Sequence, residues 1–75
     1  MRSNRMINIE DVDYIVIKPV YWEVTAIKPL GEIGWKGYIK DLKGNIYETP
    51  EYRVPWYKSL KIIKKIFSQL LSYLQ

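Results

Sequence analysis

The last third of the chain limits the fold more than any other stretch. From Trp56 onward the apolar residues Trp56, Leu60, Ile63, Phe67, Leu70 and Leu74 recur at steps of four, three, four, three and four, the spacing of one face of a helix. A second row, Ile62, Ile66 and Tyr73, widens that stripe to about half the circumference. Lysines, serines and glutamines occupy the rest. The pattern predicts a helix over residues 55–74, with Pro55 suited to its first turn. Such a helix must lay its apolar side on another layer, and residues 12–49 carry the strand patterns to supply one.

Val12 to Ile17 is β-branched and aromatic, as a short strand requires, and Pro19, which cannot donate to a ladder, is expected to mark where that strand ends, bends or lies at an edge. Residues 21–28 then alternate, with Trp22, Val24 and Ala26 on one side, and predict a second strand. Pro29, Gly31 and Gly34 mark a loop. Alternation resumes over residues 35–41, where Gly37 points to close packing or a bulge.

Asp41-Leu42-Lys43-Gly44-Asn45 is the best turn signal. Asp opens a type I turn, and Gly supplies the left-handed residue that closes a three-residue hairpin loop. This fixes a register: Lys40 opposite Ile46, Ile39 opposite Tyr47 and Tyr38 opposite Glu48. Trp35, Ile39 and Tyr47 then share the face the helix should cover. Thr49-Pro50-Glu51 suits the cap of a single helical turn.

The expected fold is α+β: a small, meander-like antiparallel sheet of three to four strands (residues 12–18, 21–28, 35–41 and 45–49) with one C-terminal amphipathic helix on one face. It is read as a single domain of residues 1–75 with a flexible arm at 1–8. The expected core is Trp22, Val24, Trp35, Ile39, Tyr47, Leu60, Ile63, Phe67, Leu70 and Leu74. With 48% hydrophobic residues, three tryptophans and seven tyrosines, large rings compensate for the short length and the lack of any disulfide.

Cysteine and histidine are both absent, which removes thiolate nucleophiles, the commonest general base and the commonest transition-metal ligands. Glu10, Asp11 and Asp13 match no calcium-loop spacing, and the glycines form no phosphate or dinucleotide fingerprint. The chain is therefore expected to be no enzyme, with no cofactor, metal or small-molecule substrate. No apolar run reaches bilayer length without a charge, and no signal-like segment follows Arg2 and Arg5, so a cytoplasmic address is expected.

Charge supplies the functional expectation. The chain has a net charge of +4, and from Tyr52 onward it holds five cations, Arg53, Lys58, Lys61, Lys64 and Lys65, and no acid. A lysine-bearing helix suits an anionic partner such as nucleic acid, or serves only to solvate that face. On the sheet side away from the helix, Lys36 and Lys40 interleave with Tyr21 and Tyr38, a combination on which bases stack while phosphates meet ammonium groups. The leading expectation is a small non-catalytic binding module for an anionic partner. The alternative is a protein-interaction or homo-oligomeric module with Ile62, Ile66 and Tyr73 at the contact, a peripheral membrane contact being less favoured.

Overall fold

The computed structural model of the protein describes residues 7–23 and 31–74. It is an α+β fold of four antiparallel strands, β1 (Val12–Trp22), β2 (Glu32–Asp41), β3 (Ile46–Glu48) and β4 (Tyr52–Pro55), followed by helix α1 (Ser59–Leu71). The second strand is the hub: β1 pairs along one edge, and β3 and β4 share the other, β3 against residues 38–40 and β4 against residues 32–35.

The hairpin register is the expected one, with Lys40, Ile39 and Tyr38 opposite Ile46, Tyr47 and Glu48. Its cause is local. Asp41 Oδ1 accepts from the backbone N–H groups of Lys43 and Asn45 at 3.0 and 2.8 Å, and Gly44 takes the left-handed conformation, φ 94°, that a side chain resists.

Two strand expectations are corrected. Pro19 does not end β1, which continues to Trp22 with register shifts at Asp13 and Val20. An edge strand tolerates a missing N–H, and the bulge at Val20 takes up the break. The separate strand over 21–28 is thus replaced at Tyr21 and Trp22 by the end of β1, while Val24, Ala26 and Lys28 lie outside the described residues. Thr49-Pro50-Glu51 caps no helix. Thr49 N–H donates to Gly37 O, and Thr49 Oγ1 accepts from Gly37 N–H, both at 3.0 Å. This buried clasp joins β3 to β4, a strand the sequence reading had left out.

A 3₁₀ turn over Trp56–Lys58 precedes α1, so the α-helix starts at Ser59 rather than Pro55. The helix lies across β2, where Gly37 leaves room for it: a Cβ there would come 2.5 Å from Ile66 Cγ2 and 2.7 Å from Leu70 Cδ1. Trp35 Nε1 donates to Ser59 Oγ at 3.0 Å and Tyr52 OH to Gln69 Oε1 at 2.8 Å, tying both ends of α1 to the sheet.

The core is Ile7, Ile39, Ile66 and Leu70, with Ile15, Ile17, Trp35, Tyr47, Ile62 and Tyr73 packed around it. Burying each aliphatic side chain contributes about 1.5–3 kcal/mol. Ile39, Leu70, Trp35 and Tyr47 take their expected places. Trp22, Leu60 and Phe67 do not, being 64%, 67% and 47% exposed. The helix is rolled toward its second apolar row: Ile66 is fully buried and is no surface for self-contact, while Ile62 and Tyr73 pack half-buried against the core. Of the expected arm, residues 1–6 lie outside the described residues, but its end is held: Ile7 is buried, its N–H donates to Tyr73 O at 2.7 Å, and it bridges to Leu74 beside the end of α1.

Candidate functional site

Because side chains alternate across a strand, the register that sends Trp35, Ile39 and Tyr47 toward α1 sends Lys36, Tyr38 and Lys40 to the other, open face. Cross-strand neighbours fill in the rest. Tyr14 lies opposite Lys40, Lys18 opposite Lys36, and Tyr21 opposite Gly34, which in turn faces Arg53. Tyr21, Tyr38, Lys36 and Lys40 are therefore together as expected. Sequence reasoning missed Tyr14 and Lys18, although the alternation Tyr14, Val16, Lys18 within β1 already puts them on one face.

Each tyrosine ring on this face has a cation over it. Lys18 Nζ and Lys36 Nζ lie 5.1 and 5.6 Å from the Tyr38 centroid, Lys40 Nζ 5.9 Å from that of Tyr14, and the Arg53 guanidinium 3.8 Å from that of Tyr21. These distances are within the range where the ring quadrupole attracts a cation. Two of the four cations also meet acids: Lys36 donates to Glu48, and Arg53 Nε donates to Glu51 Oε2 at 2.9 Å. The hydrogen bond to Glu48 raises the Lys36 pKa, and that to Glu51 raises the Arg53 pKa, in each case against partial desolvation. Lys18 and Lys40 have no ion pair among the described residues.

The structure divides the expected anion-binding set. Lys36, Lys40 and Arg53 belong to the open face, whereas Lys61, Lys64 and Lys65 on α1, and Lys58 in the 3₁₀ turn before it, lie across the sheet. Lys58, Lys61 and Lys65 flank the β4 side of the helix, lining a shallow cleft with Val54 and Ile62, and Lys65 Nζ lies 5.1 Å from the Tyr52 centroid. Lys64 projects from the outer side, away from that cleft.

A second cleft, of about 310 Å³, lies beside the hairpin turn between Ile7, Asp11, Asp41, Lys43 and Tyr47. Its buried carboxylate serves the turn. Burial opposes the ionisation of Asp41, but hydrogen bonds from the Asn45 side chain and from the backbone N–H groups of Asn45 and Lys43 outweigh it and hold the pKa below the usual aspartate value.

No helix among the described residues is long and apolar enough to cross a membrane. Comparisons with family models, with curated proteins and with solved structures find no match for this chain.

Proposed function

We propose that the protein is a non-catalytic binding module whose open sheet face takes an anionic partner, single-stranded nucleic acid being the chemistry that suits it best. The observation that carries this reading is the set of three tyrosines on one exposed face, each with a cation 3.8–5.9 Å from its ring. Flat rings offer stacking surfaces to unpaired bases, and the same cations offer phosphate contacts at the spacing of the strands. Lys18 and Lys40 act first in this scheme, since Lys36 and Arg53 must share their charge with Glu48 and Glu51.

The test is fluorescence anisotropy with a labelled oligothymidine at two salt concentrations. Each phosphate contact contributes about −0.7 to the slope of log K against log salt for a single strand. Between 50 and 200 mM salt the affinity should therefore fall roughly seven-fold if two cations act and about fifty-fold if all four do. Tyr38→Ala should weaken binding at both concentrations, and Lys18→Gln with Lys40→Gln should flatten the slope. Affinity that ignores salt sinks the proposal. So does affinity abolished by neutralising Lys58, Lys61 and Lys65 but untouched by the open-face changes.

A further inference from the structure

The helix carries more apolar surface than the sheet covers. Viewed down its axis, α1 has three sectors. Ile62, Ile66, Leu70 and Tyr73 point inward. Lys58, Lys61 and Lys65 flank the β4 side. The opposite flank, turned toward β1, holds Leu60, Phe67 and Leu71, which are 67%, 47% and 45% exposed. Trp56 and Tyr57, packed edge to face at 6.1 Å, stand exposed at the start of this flank. Trp22, opposite buried Ile33 at the end of β1, projects to the same side of the sheet.

We propose that this flank is a docking surface for an anionic lipid bilayer. Charge complementarity selects the occupant. Lys58, Lys61, Lys64 and Lys65 are exposed, the segment from Tyr52 onward holds no acid, and none of these lysines is ion-paired among the described residues. A helix with an apolar flank bordered by lysines and serines, and by no acid, sinks its side chains into the acyl boundary while the ammonium groups reach lipid phosphates. Trp and Tyr, with an apolar body and a polar tip, suit the headgroup level where Trp56 and Tyr57 would sit.

The lysines are also badly placed for the helix itself. Lys58 and Lys61 lie at its start, where the macrodipole disfavours positive charge and where no acid offsets them. A second copy is a poorer occupant, because two such helices meeting flank to flank bring Lys64 toward its own symmetry mate with no carboxylate on either helix. With the flank on a bilayer, the open face on the far side of the sheet stays accessible. The inference stands independently of the nucleic-acid reading, since the two surfaces share no residue.

Co-sedimentation of the full chain with vesicles tests it. Binding is expected to vesicles of phosphatidylcholine with one-third phosphatidylserine and to be at least about tenfold weaker to phosphatidylcholine alone. Tryptophan emission should shift to the blue and be quenched by brominated acyl chains. Phe67→Ser with Leu71→Ser, both at exposed positions, should weaken vesicle binding at least about tenfold with the thermal midpoint and oligonucleotide affinity retained. Lys61→Gln with Lys64→Gln should reduce the preference for phosphatidylserine. Three results would overturn the proposal: no co-sedimentation, vesicle binding unaffected by the serine changes, or a dimer in sedimentation velocity that Phe67→Ser dissolves while vesicles are ignored.

Discussion

Alternate residues of β2 meet two different environments. Trp35, Gly37 and Ile39 face α1, where packing is tight enough to exclude a single methyl at Gly37. Lys36, Tyr38 and Lys40 face outward, where charge and rings are spread over a surface that no other described element covers. One strand thus holds the fold with its odd-numbered residues and presents chemistry with its even-numbered ones, so stability and binding should be separable by point mutation.

The sharpest test of that separation lies on the helix. Leu70→Ala empties a fully buried site beside Gly37 and should cost about 2–5 kcal/mol in urea denaturation. Phe67→Ala, one turn away on the exposed flank, should cost less than about 1 kcal/mol. Equal losses would mean that the helix is rolled the other way. Next in size is Thr49→Val, which keeps the shape but removes the acceptor of the Gly37 N–H. That leaves a buried donor unpaired, at about 1–3 kcal/mol in the same measurement.

Asp41 gives a smaller, pH-dependent effect. Its folded pKa is lowered, so its contribution is complete above the unfolded aspartate value of about 3.9 and is lost as pH falls through the folded value. Thermal melts of the protein and of Asp41→Asn should accordingly differ at pH 7 and converge as the pH drops toward 2. A gap that stays constant would show that the turn does not depend on the ionised carboxylate. The smallest effect belongs to the open face. Lys18→Gln with Lys40→Gln should change stability by less than about 0.5 kcal/mol while weakening oligonucleotide binding. A marked fall in melting temperature would mean that these cations hold the sheet together.

The sequence showed most where the determinants are close together in the chain. Asp41 and Gly44 define the turn within a few residues, and the register of Tyr38, Ile39 and Lys40 follows from them. The side on which Lys36, Tyr38 and Lys40 lie follows in turn. The roll of the helix was not legible in the same way. Its apolar arc spans two rows, one through Leu60 and Phe67 and one through Ile62 and Ile66, and periodicity favours the longer row. What decides between them is the gap above Gly37, some thirty residues away in sequence, which receives Ile66 and Leu70. Pro19 left an end, a bend and an edge position open, and only the pairing pattern reveals that β1 runs on through it at an edge of the described sheet. Thr49 and Ile7 gave no local signal, since their burial depends on distant partners, Gly37 and Tyr73. The open-face cations were visible as residues, but their division from the helix lysines depended on which surface each strand presents.

That every described strand pairs with β2 sets an order of assembly. The hairpin to β3 closes over Asp41 to Asn45, a short loop with little entropy to lose, whereas the pairings to β1 and β4 close longer spans. The turn should zip first, and Thr49 then delivers β4 to the other half of the same edge. Amide protons at the centre of β2, those of Gly37 and Ile39, would be released only when the whole molecule opens, and should be the slowest in the chain to exchange with deuterium.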